Sequence, residues 1–142
     1  MAKYAASREL LAPREDVWAF VSDPHSMARW WPGIRGITPD RRGFAPGARW
    51  TIQGDERPSL MRKAYLSGAL LIRQVRTPEF ASWHLTGERF DVELSLEPTE
   101  EGTTRATLVV EAPWHGALRR RLPHDALRRL YDLCQTGFEP EL

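Results

Sequence analysis

The stretch APREDVWAFVSDPHSMARWWPGI, residues 12–34, decides how the rest of the chain is read. Pro13 suits a first helical position, where its missing N–H is harmless, and Glu15 and Asp16 favour the positive end of a helix. Val17, Phe20 and Val21 recur at helical spacing with Trp18 beside them. Asp23 reads as an N-cap with Pro24 at the first position of a second short helix, which Pro32 and Gly33 end. That helix finishes on two adjacent tryptophans, Trp30 and Trp31. Such aromatic area at an element boundary needs a cover: a core, a bound molecule or another protein.

Upstream, residues 3–11 are expected to be extended, closing on Leu10 and Leu11. Downstream, clusters of Gly, Pro and Asp punctuate short segments of strand formers. The clearest is RFDVELSLEP, residues 89–98, where Phe90, Val92, Leu94 and Leu96 alternate with Asp91, Glu93, Ser95 and Glu97. GARWTIQG puts Ala48, Trp50 and Ile52 on one face, and FASWHLTG sets Ala81, Trp83 and Leu85 against Ser82, His84 and Thr86. TTRATLVVEAP reads as the last strand, with PTEEGTT as the hairpin turn before it. Residues 57–68 fit a short helix or a strand equally well.

The end is helical again. PHDALRRLYDLCQTG, residues 123–137, places Leu127, Leu130 and Cys134 on one stripe opposite Arg128, Arg129 and Asp132, and Gly137 is placed to cap it. GALRRRL is either an earlier turn of this helix, kinked at Pro123, or a separate piece. The order is one strand, two short helices, about five or six strands and one long helix. Short connections between successive strands imply an antiparallel sheet, and the last helix alone is long enough to cover its dry face.

At 142 residues the chain is expected to be a single α+β domain spanning 1–142, large enough to hold together by its own core. A net charge of +1 argues against nucleic acid, because phosphate binding needs a clear cationic excess. The longest aliphatic run, ALLI at 69–72, is far too short for membrane insertion. The single cysteine fits a reducing compartment, and charges interrupt the first residues where a signal peptide needs an apolar run. A cytoplasmic location is therefore expected.

A strand ending in an aliphatic residue, then APREDVWAFVSDP, then WWP, resembles the opening of the START-like, or Bet v 1-like, helix-grip superfamily (SRPBCC). The chain is most similar there to bacterial proteins described as polyketide cyclase/dehydrase or lipid-transport-like, over residues 3–137. The resemblance implies a strongly curved antiparallel sheet gripping the C-terminal helix, with a largely apolar cavity between them. It implies a small hydrophobic molecule as partner and transfers no particular reaction.

The ligand-binding candidates follow from the dry faces: Trp30 and Trp31 at the helix end, Trp50, Trp83 and Phe90 on strands, and Leu127, Leu130 and Cys134 on the last helix. Trp30 and Trp31 read first as core plugs at the end of the sheet and otherwise as a flat wall at the cavity mouth, and Trp18 as core. His84 and Tyr65 are candidates for proton transfer, His84 being also an ordinary solvent-face residue of its strand. Arg49 alternates away from Trp50, and Glu88 and Glu111 become bases only if buried. The arginines at 119–121, 128 and 129 read as a solvated helix face, and Cys134 as a small hydrophobe. His25, His84, His115 and His124 show no metal-ligand spacing, and no phosphate loop or dinucleotide fingerprint is present, so neither metal nor cofactor is expected. Three readings stand: a carrier of a hydrophobic or amphipathic ligand, a cyclase/dehydratase-type enzyme using the same cavity, and a protein-interaction module meeting its partner through Trp30 and Trp31. Oligomeric state is left open.

Overall fold

The computed structural model describes residues 2–54, 68–113 and 120–137. Its elements run β1 (Ala2–Leu10), α1 (Arg14–Val21), α2 (Pro24–Trp30), β2 (Ile34–Thr38), β3 (Arg49–Gly54), β4 (Gly68–Arg76), β5 (Phe80–Leu85), β6 (Phe90–Pro98), β7 (Thr104–Ala112) and α3 (Leu122–Gly137). The seven strands form one curved antiparallel sheet in the order β1-β7-β6-β5-β4-β3-β2. Strands β2 to β7 form a meander, and β1 returns to pair along the whole of β7, from Ala2 opposite Ala112 to Leu10 opposite Thr104. α3 packs across β1 and β7 and against α2. This is the helix-grip arrangement that the opening stretch implies.

The local signals act as expected, with small differences. Asp23 caps α2, accepting from the His25 N–H at 3.4 Å and the Ser26 hydroxyl at 2.9 Å. Pro13 stands one place before the first helical residue, extended at ψ 154°, and its carbonyl accepts from the Asp16 and Val17 N–H groups. A proline there loses no helical hydrogen bond, as at the first position. Pro123 lies in the first turn of α3 and not at a mid-helix kink. β2 lacks the clean alternation of the other strands, since it carries a bulge between Ile34 and Gly36, and it was not singled out from sequence.

The core lies between the inner face of the sheet and the helices. On β6 and β7 every second residue is buried, from Phe90 to Leu96 and from Thr104 to Ala112. Buried Thr104 is the exception to an otherwise apolar row. Its hydroxyl donates to the Ala12 carbonyl at 2.7 Å, tying the start of β7 to the link between β1 and α1. α3 presents Ala126, Leu127, Leu130, Leu133 and Cys134 to the core and exposes Arg128 and Arg129. The Arg8 guanidinium lies 4.6 Å over the Tyr131 ring, a second tie between β1 and α3.

Candidate functional site

Adjacent residues on a continuous helix point about 100° apart, and two neighbours are both buried only where the covered face is wide, as at Leu133 and Cys134 of α3. At Trp30 and Trp31 the helix ends between the two. Trp30 is the last residue of α2, while Trp31 is extended at φ −86° and ψ 119°, its N–H still bonded to the Met27 carbonyl. Gly33 follows at φ 87°, a conformation glycine adopts without strain. Both indoles lie in the core, at 0% and 1% exposure.

There they meet Trp83, which sits mid-sheet opposite Ile72 and Val92. Ring centroids are 5.6 Å apart for Trp30 and Trp31, 6.0 Å for Trp31 and Trp83 and 6.2 Å for Trp30 and Trp83. The planes cross at 73–81°, so each pair packs edge to face, the arrangement the indole charge distribution favours. Trp50 joins a different group. Phe44 stands between it and Trp18, with centroids 5.6 Å and 5.7 Å away. The sequence reading missed Phe44; its only signal was a position between Gly43 and Gly47, both at positive φ. The Trp50 indole N–H donates to the Gly43 carbonyl at 3.1 Å. Asp40 braces this loop by accepting from the backbone N–H groups of Arg49 and Arg42, at 2.8 Å and 2.9 Å. Those bonds, chiefly the one from Arg49, hold its pKa below the ordinary value.

The indole N–H groups of Trp30, Trp31 and Trp83 are buried and meet no acceptor among the described residues. A buried donor left unpaired costs about 1–3 kcal/mol. Phe90, Leu127, Leu130 and Cys134 are buried as well, so all eight residues expected on dry faces are inside. Burial pushes the Cys134 thiol up to about 12, with a smaller push from the Asp16 carboxylate, so it stays protonated.

The proton-transfer candidates lie elsewhere. His84 is on the outer face of β5, opposite Asp91 of β6, and its Nδ1–H donates to Asp91 Oδ1 at 2.8 Å. It does not share a face with the tryptophan cluster. Tyr65 lies outside the described residues, as do residues 57–67, His115 and Arg119. Glu88 and Glu111 are half-buried, Glu111 lying 3.8 Å from the Lys3 ammonium, and Arg49 is exposed as its alternation requires. A depression of about 220 Å³ is lined by Lys3, Arg73, Ser82, Asp91, Glu93 and Glu111, polar residues of mixed charge, together with Trp83, Val92 and Val109. Among the described residues no three His, Cys, Asp or Glu side chains gather as around a metal ion, and no helix is long and apolar enough to cross a membrane.

A curved antiparallel sheet, two short helices after its first strand, an apolar inner face and a C-terminal helix laid across it define a helix-grip protein. The chain belongs to the polyketide cyclase/dehydrase and lipid transport family, whose model matches residues 1–137. No curated protein matches it. Among solved structures it is similar to a protein from Nitrosomonas europaea, with 18% identity, TM-score 0.69 and 95% of each chain covered. It is also similar to one from Mesorhizobium loti, with 16% identity, TM-score 0.69, and 98% of this chain and 100% of the other covered. The Aha1 dimer from Colwellia psychrerythraea has 13% identity and TM-score 0.70, again with 98% and 100% covered. At these identities the likeness is one of fold.

Proposed function

We propose that the chain binds a small hydrophobic or amphipathic molecule, lipid- or polyketide-like, between the inner face of the sheet and α3. The observation that carries this reading is the chemistry of that face. It concentrates the Trp30, Trp31 and Trp83 indoles against aliphatic strands, and the buried polar residues described are only Ser26 and Thr104. Aromatic walls with few polar groups are what a hydrophobic ligand site requires. Membership of a family described by polyketide cyclisation and lipid transport supports the same reading.

The proposal stops at binding. His84 stands on the outer face, and the buried Cys134 thiol is protonated, so neither offers the inner face a base or a nucleophile. The test is native mass spectrometry of the purified protein, followed by organic extraction and identification of what is released. A stoichiometric hydrophobic molecule is expected. A protein without one, whose tryptophan fluorescence also stays unquenched by hydrophobic probes, would refute the reading.

A further inference from the structure

The sheet has two edge strands, β1 and β2, and they are finished differently. An edge strand presents a row of backbone N–H and C=O groups that can pair with another chain, and folds normally blunt it by shortening, bulging or covering it. β2 is blunted in this way, having five residues and a bulge between Ile34 and Gly36. β1 is not. It runs nine residues, Ala2–Leu10, without a proline, and its register with β7 is unbroken throughout. α3 lies over its inner face. Lys3, Ala5 and Ser7 are nevertheless exposed, and among the described residues no strand lies on its far side.

We propose that this edge receives a second copy of the chain, β1 pairing antiparallel with β1 across a two-fold axis. Such an axis stands perpendicular to the sheet and keeps outer side chains on the outer face, so odd-numbered residues face odd and even face even. Centring the pairing on Ala6 uses the whole strand, with Ala2 opposite Leu10 and Ala5 opposite Ser7. The same register sets Lys3 opposite Glu9 of the second copy, and it does so twice. The charges continue on either side of the seam. Glu111 stands opposite Lys3, and Arg105 stands between Glu9 and Glu97. Across the joined outer face the row therefore reads Glu111, Lys3, Glu9, Arg105, Glu97, alternating in sign from end to end.

Opposite charges directly across a strand pair are favourable and like charges are not. The neighbouring registers of the same parity lose the match, because Lys3 then faces Ser7 or Leu11. Leu11 is the one exposed large apolar side chain among the described residues, and it follows β1 directly, where the end of the second copy's strand reaches it. Full pairing supplies about eight to ten hydrogen bonds between the copies, as many as a typical protein interface. The proposal is independent of the ligand-binding reading.

The test is sedimentation velocity of the full chain at concentrations up to about 1 mM, with two charge reversals. The parent is expected to dimerise as concentration rises. Lys3→Glu and Glu9→Lys each set like charges against one another at both ends of the seam, and each should weaken self-association by about tenfold or more. In an equal mixture every reversed residue meets its opposite on the other variant, so the mixture should regain the parent's association. Glu9→Lys also loses the 2.5 Å bond from the Thr103 hydroxyl, but mixing does not rescue a variant that is merely damaged in its fold. Hydrogen exchange of the parent needs no variant: the β1 amides should slow as concentration rises while those of β2 do not. A parent that stays monomeric overturns the proposal. So does a dimer that the reversals leave intact or that mixing fails to restore, and so does protection that grows at β2 or elsewhere in place of β1.

Discussion

Trp83 and His84 are neighbours in β5 that serve opposite faces of the sheet. The indole is 1% exposed among the core residues, and the imidazole lies on the outer face 2.8 Å from Asp91. One peptide unit therefore separates the proposed ligand wall from a surface hydrogen bond, because successive strand residues alternate sides. His84→Gln is expected to leave hydrophobic-probe affinity within a few-fold of the parent, measured by fluorescence titration. A large loss would mean that the bound molecule reaches the outer face.

Leu130 sits one turn from both Leu127 and Cys134 on the buried stripe of α3. Leu130→Trp adds a ring on the side where the ligand is proposed to lie. In a solid core such overpacking costs about 1–3 kcal/mol. The expected variant stays folded, melts close to the parent and binds probe poorly, because the ring takes up ligand volume. Marked destabilisation with probe binding retained would place the ligand elsewhere.

The Thr104 hydroxyl is buried and donates to the Ala12 carbonyl at 2.7 Å. Thr104→Val keeps the shape and removes the donor, leaving that carbonyl unpaired. A loss of about 1–3 kcal/mol is expected from denaturant unfolding. Thr104→Ser, which keeps the hydroxyl, should lose less.

Gly68 opens β4 at φ 125°, where a Cβ would come within 2.6 Å of the Thr86 hydroxyl oxygen. That oxygen also accepts the Ala69 N–H at 2.9 Å, so it cannot move aside freely. Gly68→Ala is expected to cost more than about 1 kcal/mol in a thermal melt. Adding Thr86→Ala should recover little, since the backbone strain remains and a hydrogen bond is lost.

The Cys134 thiol should resist alkylation in the folded protein near neutral pH. Burial raises its pKa to about 12, whereas in the unfolded chain it ionises near the ordinary 9.0. The unfolded state therefore releases a proton above pH 9.0 that the native state keeps. The stability contributed by the neutral thiol is complete below that pH and is lost as pH rises toward about 12. The unfolding free energy measured on both sides of pH 9.0 should fall more steeply with rising pH for the parent than for Cys134→Ala. Equal slopes would show that the thiol is not protected by the fold.

What the chain determined by itself is what nearest neighbours can decide. Asp23 before Pro24 made a capped helix, and the alternation of Phe90, Val92, Leu94 and Leu96 made a half-buried strand, because capping and side-chain alternation act over a few residues. The same alternation set His84 on the wet face and Trp83 on the dry one. The tertiary structure alone decided which dry residues meet. Trp83 joins Trp30 and Trp31 from more than fifty positions away in sequence, while Trp50, on an equally dry face, pairs with Phe44 beyond their reach. Periodicity says which side of a strand is buried but not what lies opposite, since that depends on how the sheet curves and where α2 ends. Whether a buried indole finds an acceptor depends on backbone carbonyls placed by loops. Gly43 supplies one to Trp50, and the indoles of Trp30, Trp31 and Trp83 have none among the described residues.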